Sequence, residues 1–329
     1  MTPLAPHIEA FFRKHLSIER ACSRHTCETY AHAFQLLLDF AATRYKTSPS
    51  SLSLEHLDAP LVLDFLAYIE TTRRNSPTTR NARLAAIKSF ARFIEYRVPG
   101  AVDQVRKILA IPAKRTDMPL VDYLNRDEMQ SLLDAPEPTT RLGIRDRAML
   151  YLCFSAGLRV SELIGLRLED LRLHPDASVH VHGKGRRERL LPLWKETTSA
   201  LRAWLAIRGD VSAQEVFVSA RCQPLTRSGV EYVLNKHVKK AVVRCPSISS
   251  KRVSPHVLRH SCAMHTLQAT RDVRKVSLWL GHASVKSTEI YLRADPTEKL
   301  AALNAGVALT LRPGRFRPPD RLLAMLRQP

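Results

Sequence analysis

The sequence has no apolar run as long as the roughly 18 to 20 residues that a membrane-spanning helix needs. Its first stretch, Met1–Ala10, carries the acidic Glu9 and no basic-then-apolar signal pattern. The 6 cysteines include no C-x-x-C pair, so reduced and mostly buried thiols are expected. These absences predict a cytoplasmic protein with no membrane partner.

Acidic residues are also under-represented. The 329 residues include 31 Asp and Glu against 51 Lys and Arg, a formal net charge of +20. Such an excess favours a polyanionic partner, because each phosphate that Lys or Arg neutralises releases condensed counterions. DNA, the ribosome and an anionic membrane surface would all satisfy the charge. With 45% hydrophobic residues the chain can form packed cores, and its length suits two domains.

Motifs of several enzyme classes are missing. We find no phosphate-binding glycine loop, no Ser-His-Asp hydrolase elbow and no carboxylate-rich two-metal site. One group of possible metal ligands fits no common zinc spacing: Cys22, His25, Cys27 and His32. A second lacks the H-E-x-x-H arrangement: His256, His260 and His265. The sequence therefore predicts no metal site and no cofactor.

Helical spacing of apolar residues predicts four amphipathic helices before about residue 110. Their starts are expected near Pro6, Ser23 or Thr26, Asp58 and Ser76. Four short helices of this kind form a small bundle. We expect a helical domain over residues 1–112 and a linker over 113–120, where two prolines and basic residues interrupt the pattern.

Residues 121–310 predict a second, mixed domain, followed by a basic tail at 311–329. Its clear β signal is 178–193, two strand-like runs around Gly183-Lys184-Gly185, with the lysine at the tip of the hairpin. Helices are expected on both sides of it, at about 126–134, 140–155, 195–207, 227–243, 254–268 and 272–280. Ser161 and Ser284 are candidate caps of two more.

Three stretches carry a family resemblance. A-G-L-R-V-S-E-L at 156–163 resembles the first signature of the tyrosine recombinase (phage integrase) family. H-V-L-R-H-S-C-A at 256–263 is similar to the second, and L-G-H-A-S-V-K-S-T-E-I-Y at 280–291 to the third. The hairpin G-K-G falls between the first two, as the family's β-hairpin lysine does. The order makes the resemblance specific to the catalytic half.

The resemblance implies a mainly α fold. An N-terminal four-helix core-binding (SAM-like) bundle would precede a C-terminal mixed α/β catalytic domain with a small antiparallel sheet. The bundle resembles the core-binding domain of Xer-type and phage-type recombinases only in a general way.

The same resemblance assigns the reaction. Tyr291 would attack a DNA phosphate, giving a 3′-phosphotyrosyl link and a free 5′-hydroxyl. Arg159 and Arg259 would clamp the phosphate, since a guanidinium offers a planar, bidentate and permanently charged fork. Lys184 would be the general acid for the 5′-oxygen. The phosphotyrosyl bond conserves the energy of the cleaved bond, so neither ATP nor a metal is implied.

Two histidines and two supporting residues complete the predicted site. His256 would act as acid and base near the tyrosine, and His282 would hydrogen-bond the scissile phosphate. Glu162 matches the family's acidic position and would orient the cationic network. His260 is expected to support the site by hydrogen bonding rather than to act directly.

Further basic residues are candidate DNA contacts. One group brackets the turn between the third and fourth helices: Arg73, Arg74, Arg80, Arg83 and Lys88. An ordinary solvated face is the alternative for that group. Arg186 and Arg187, beside the hairpin lysine, are further candidates.

Taken together, the motifs predict a site-specific recombinase acting on double-stranded DNA near the nucleoid. Family members work as tetramers through a Holliday junction, so a homotetramer is expected, with related recombinases as alternative partners. The apolar segment 298–309 would dock on a neighbour or on its own domain, and the tail would contact DNA or stay disordered.

High arginine content and the basic tail favour integration, excision or transposition of a mobile element. The alternatives are Xer-like resolution of chromosome or plasmid dimers, a type IB topoisomerase-like enzyme, a catalytically silent DNA-binding relative, and a basic protein of the ribosome or nucleoid.

Overall fold

A computed structural model describes residues 1–117, 120–183, 187–282, 284 and 287–295. The chain divides into two compact units, Met1–Met118 and Pro119–Pro329, and each has its own hydrophobic core. In these described ranges, no helix is both long and apolar enough to cross a membrane. The predicted segment 298–309 and the tail 311–329 lie outside the described residues.

Helices make up the first unit. They are α1 (Leu4–Glu9), which continues as a π-helical stretch over Ala10–Glu19, α2 (Arg24–Tyr45), α3 (Ala59–Thr71), α4 (Pro77–Glu95) and α5 (Val102–Ala110). The side chains of Ser23, Asp58 and Ser76 accept hydrogen bonds from the first turns of α2, α3 and α4, as predicted for N-caps.

The structure adds α5 to the four helices predicted for this unit. This helix is short, and no side chain caps its N-terminus, so the sequence carries no start signal for it. It nevertheless buries Val105 and Ile108 in the core of the first unit. Tertiary packing of an amphipathic face therefore stabilises it.

Eight helices and a three-stranded sheet form the described part of the second unit. The helices are α6 (Arg126–Leu133), α7 (Arg141–Ala156), α8 (Val160–Ile164), α9 (Lys195–Arg208), α10 (Arg227–Arg244), α11 (Pro255–Thr270), α12 (Val273–Leu280) and α13 (Glu289–Ala294). The antiparallel sheet has the order β1 (Leu171–Arg172), β2 (Ser178–Gly183), β3 (Arg187–Pro192). The predicted hairpin is thus present, and β1 extends it on one edge.

Two helix starts differ from the sequence prediction. Helix α8 begins at Val160 with Arg159 at the N-cap, whereas Ser161 was expected to cap it. The reason is that the Glu162 carboxylate accepts a hydrogen bond from the Arg159 backbone N–H, which places the helix start two residues earlier than expected. Helix α13 begins after Thr288, not after Ser284.

Two glycines in the left-handed region set the geometry from which the site is built. Helix α7 ends at Gly157, with φ +57°, and α12 ends at Gly281, with φ +62°. A Cβ at position 157 would lie 2.6 Å from Leu280 Cδ2 and 3.1 Å from Cys262 Sγ. The end of α7 therefore packs directly against α11 and the end of α12, which brings the three signature stretches together.

Candidate active site

A buried carboxylate, Glu162, lies at the centre of the cationic group. Its oxygens accept hydrogen bonds from Arg159 Nη1 at 2.7 Å and from Arg189 Nη1 and Nη2 at 3.2 and 2.8 Å. A third guanidinium, that of Arg259, has its Nη1 at 3.8 Å from Glu162 Oε2. These arginines come from the α8 N-cap, β3 and α11, so one carboxylate joins three elements.

The cationic surroundings keep Glu162 ionised. Burial is the largest single effect and raises the pKa of its carboxyl, but hydrogen bonds from Arg189 and Arg159 and the charge of Arg189 outweigh it and lower the pKa below its ordinary value. The carboxylate thus offsets part of the repulsion among the three guanidinium groups.

Arg259 is anchored by backbone. Its side chain is buried, and it donates from Nη1 to the Gly157 carbonyl at 2.5 Å and from Nη2 to the Leu280 carbonyl at 2.7 Å. Burial, followed by the repulsive charge of Arg159, lowers its pKa to about 10. The group therefore stays protonated at neutral pH, in a position set by the ends of α7 and α12.

Tyr291 on α13 is 1% exposed, and its hydroxyl oxygen lies 3.0 Å from His260 Nδ1. Burial raises the pKa of the hydroxyl to about 12, against the opposing positive charges of Arg259 and Arg159. Burial, followed by the charge of His256, lowers the pKa of His260. A neutral phenol therefore faces an imidazole that is neutral at pH values where the protein would act.

His282 follows the glycine that ends α12. Its Nδ1 lies 2.7 Å from Thr288 Oγ1, and its ring lies nearly parallel to that of Tyr291, with the centroids 6.4 Å apart. Burial, then the charges of Arg259 and Arg159, lowers its pKa to about 4. At neutral pH the ring is uncharged and can act through hydrogen bonds.

The structure brings most of the predicted site residues together: Arg159, Glu162, Arg259, His260, His282 and Tyr291. His256 is exposed on the first turn of α11, four residues before His260. His260, which was expected to support the site by hydrogen bonding, is the histidine that hydrogen-bonds the Tyr291 hydroxyl. Lys184 and Arg186 lie outside the described residues.

Sequence reasoning missed Arg189. Its side chain is 9% exposed and pairs with Glu162 through two nitrogens. In the sequence it belongs to the charged stretch R-R-E-R at 186–189, which is typical of a solvated hairpin. The available signal was strand alternation, because Arg189 is two residues before the buried Leu191 and so shares its face of β3.

Arg80, a predicted DNA contact, is held within the first unit. Its side chain is buried, and its Nη1 donates to the Pro112 carbonyl and to Asn81 Oδ1, both at 3.2 Å. Its Nε lies 3.7 Å from a Glu70 carboxylate oxygen. An arginine held in this way supports the packing of the first unit, and its buried side chain is less available to a phosphate than the exposed arginines are.

The other basic candidates differ in exposure. Arg73, Arg74 and Arg187 are exposed. Lys88 is half-buried and donates to the Leu109 carbonyl at 2.7 Å, and burial lowers the pKa of both Lys88 and the half-buried Arg83. The exposed arginines are therefore the better placed for contact with DNA.

Comparison with known proteins identifies the family. Residues 122–298 match the Phage integrase family, and residues 8–97 match the Phage integrase, N-terminal SAM-like domain. The chain belongs to the phage integrase family of tyrosine recombinases. As such it is an enzyme of site-specific DNA recombination.

Among curated relatives, the integrase/recombinase y4rC of Sinorhizobium fredii is 44% identical over 325 residues, which cover 98% of this chain and 97% of that protein. The tyrosine recombinase XerC of Pelobacter propionicus is 34% identical over 292 residues, covering 88% of this chain and 91% of that protein. Both matches extend through the two units.

Solved structures show the same fold. The XerH recombinase bound to a palindromic difH substrate matches with a TM-score of 0.66 at 22% identity, covering 87% of this chain and 81% of that one. The Tn1549 transposon integrase matches with a TM-score of 0.68 at 15% identity, covering 92% and 99%.

We expect the substitution Glu162→Gln to lower the free energy of unfolding of the second unit by about 3 kcal/mol, since it leaves buried guanidinium groups without a counter-charge. Urea unfolding followed by tryptophan fluorescence measures this, because all 3 tryptophans (Trp194, Trp204 and Trp279) belong to the second unit. The control is Glu169→Gln, at a side chain that is 73% exposed. A loss no larger than the control's would contradict the central role of Glu162.

We also expect His282 to make stability depend on pH. Its pKa is about 4 when folded against an ordinary 6.5, so in that window the unfolded chain binds the extra proton. The contribution of His282 is therefore complete above pH 6.5 and is lost as the pH falls towards about 4. The urea midpoint of the wild type should fall more steeply over this window than that of His282→Gln. The exposed-site variant His25→Gln should follow the wild type, and parallel curves for all three proteins would refute the assignment.

Proposed function

We propose that this recombinase cleaves DNA with the hydroxyl of Tyr291. The observation that carries the proposal is the position of this hydroxyl, 3.0 Å from His260 Nδ1 and within the electrostatic influence of Arg259 and Arg159. The Tyr291 oxygen would form a bond to the scissile phosphorus while the bond from phosphorus to the 5′-oxygen breaks. The products are a 3′-phosphotyrosyl link and a 5′-hydroxyl.

Removal of the phenolic proton is the first requirement, because the pKa of the hydroxyl is about 12. His260 Nδ1 is at hydrogen-bonding distance and is the proposed direct acceptor. His256 lies one turn earlier on the same face of α11 and is the proposed next acid–base group. Lys184, which the family resemblance makes the general acid, would supply a proton to the departing 5′-oxygen.

Charge stabilisation at the phosphate would come from the arginines. The Arg159 side chain is 31% exposed while it donates to Glu162, so its remaining N–H groups can meet a non-bridging oxygen. Arg259 is deeper and adds a fixed positive charge. His282 is uncharged at neutral pH. If Thr288 donates to its Nδ1, the ring proton sits on Nε2 and can bond the phosphate.

The proposed partner is double-stranded DNA, bound by a homotetramer that exchanges strands through a Holliday junction. Neighbouring structures support this, since XerH is described with a difH substrate and lambda integrase as a tetramer on a Holliday junction. Arg73, Arg74 and Arg187 are the proposed DNA contacts of the described surface. The net charge of +20 supports the same partner, and the nucleoid is the proposed place of action.

For the biological role, we propose integration, excision or transposition of a mobile element. Support comes from y4rC, a relative named as an integrase/recombinase, which is 44% identical along nearly the whole chain. Xer-like dimer resolution is the second candidate, favoured by the 34% identity to XerC.

We expect Tyr291→Phe to abolish covalent attachment to a nicked suicide DNA substrate while DNA affinity stays near that of the wild type. The substitution removes the nucleophilic oxygen and leaves the buried ring in place. Denaturing gel electrophoresis of labelled DNA measures the adduct, and Tyr232→Phe, at a residue that is 72% exposed, is the control. An adduct that persists in Tyr291→Phe would overturn the assignment.

We expect the DNA bound by the purified protein to map to the ends of the genetic element that carries its gene. Selection of bound genomic fragments followed by sequencing measures this. The control is the Tyr291→Phe protein, which should select the same fragments because it retains binding. Recovery of a single chromosomal or plasmid site remote from the gene would favour dimer resolution and reject the mobile-element role.

A further inference from the structure

A cluster of side chains that could ligate a metal lies between β2 and the turn before β1. Asp170, His180 and His182 each offer one ligand atom, and these atoms lie within 4.8 Å of one another. Among the residues that the structure describes, no other three His, Cys, Asp or Glu side chains converge in this way. The two groups considered from the sequence, at 22–32 and at 256–265, do not converge.

We propose that Asp170, His180 and His182 bind a divalent transition-metal ion, with Zn²⁺ as the best fit. Imidazole nitrogens suit Zn²⁺, Cu²⁺ and Ni²⁺, and a carboxylate oxygen completes many zinc sites. The inference rests on the geometry of the hairpin and is independent of the strand-cleavage mechanism.

Strand alternation places the histidines on one side. His180 and His182 are two residues apart on β2, so both side chains leave the same face, with their ring centroids 4.4 Å apart. Glu188 is the cross-strand partner of His182 in the β2–β3 register. The side chains of His180 and His182 are 39% and 56% exposed, so an ion can reach them from solvent.

Asp170 supplies a fixed anchor. Its side chain is 6% exposed, and its Oδ2 accepts a hydrogen bond from the Arg167 backbone N–H at 2.8 Å. The other oxygen, Oδ1, lies 3.0 Å from His182 Nε2. One oxygen is thus held by the backbone while the other faces the imidazole, which is the way supporting contacts orient a ligating carboxylate.

The distances suit a tetrahedral ion. Metal–ligand bonds near 2.0–2.2 Å place the ligand atoms of a tetrahedral zinc site about 3.3 Å apart. The three proposed ligand atoms lie within 4.8 Å of one another, and the Asp170 Oδ1–His182 Nε2 distance is 3.0 Å. Small side-chain rotations would close the site, and Glu188, which lies 3.0 Å from His180 Nε2, would orient that histidine.

The same contacts could form an ion-pair network without a metal. Ion pairs with exposed partners contribute little to stability, whereas a bound ion would join β2 to the turn before β1 at a point two residues ahead of Lys184 in the sequence. Metal binding would therefore stiffen the strand end that leads to the predicted general acid.

The test uses the full chain, without a histidine tag and stripped of metal, titrated with Zn²⁺ in a calorimeter. Co²⁺ titration with visible absorption gives an independent report of coordination. We expect saturable binding of one ion per chain. The double variant His180→Gln/His182→Gln should weaken binding by at least about tenfold, since even lost supporting contacts cost that much. The matched control, His25→Gln/His32→Gln, removes two exposed histidines from the first unit and should bind as the wild type does.

Hydrogen exchange tests the structural consequence. With Zn²⁺, amide exchange should slow in the peptide covering residues 178–192 in the wild type and in the control, and not in the hairpin variant. Tryptophan-detected unfolding checks that the variants fold, and the single variant His180→Gln gives a milder probe if the double variant is destabilised. Absence of saturable binding, binding that survives in the hairpin variants, or equal loss in the control would each refute the proposal.

Discussion

Three guanidinium groups packed near a phenol would repel one another strongly without a counter-charge. The Glu162 carboxylate supplies it, accepting from Arg159 and Arg189 and lying within 3.8 Å of Arg259. The cost of burying this carboxylate is offset by those hydrogen bonds, which keep it ionised. Burial, together with the positive charges of the arginines, lowers the pKa of His282, and the charges of Arg259 and Arg159 oppose the burial effect on Tyr291. One buried acid thus allows three guanidinium groups to lie together beside these two side chains.

Backbone geometry is coupled to that charge network. Arg259 donates to the carbonyls of Gly157 and Leu280, at the ends of α7 and α12. Both helices stop in left-handed residues, and only a residue without a Cβ fits beside Leu280 at position 157. The side chain proposed to bind the phosphate therefore also joins the two helix ends, so that the fold of the second unit and the geometry of the candidate site depend on the same contacts.

The hydroxyl of Tyr291, the proposed nucleophile, is buried. A buried hydroxyl with a pKa of about 12 is unreactive until its proton has an acceptor, and His260 is positioned to be one. The hairpin provides another point of control. Its β3 strand contributes Arg189 to the Glu162 cluster, and its exposed face carries the histidines of the proposed metal site. A movement of this hairpin would therefore change the positions of the arginines as well as that of the predicted general acid.

Much of the fold could be predicted because the residues that begin and end helices and form turns are recognisable in the sequence. Short-range features include the caps at Ser23, Asp58 and Ser76, the glycines after α7 and α12, and the strands around 183–185. The ordered signature stretches indicated the family and the candidate site residues. Helix α5 has no such cap, and its stability comes from burial against the first core.

Contacts between residues distant in the sequence could not be predicted from it. By charge alone, nothing in the sequence distinguishes Arg80 from Arg189. Arg80 is buried against Glu70 and the Pro112 carbonyl, whereas Arg189 is buried against Glu162, which is 27 residues away in the sequence. The hydrogen bond between His260 and the Tyr291 hydroxyl likewise joins residues 31 positions apart. By itself, the sequence determined most of the helices, the β-hairpin strands, the family and the residue types of the candidate site. Only the tertiary structure decided which charges are paired, because pairing and burial depend on residues distant in sequence that the fold brings within a few ångströms.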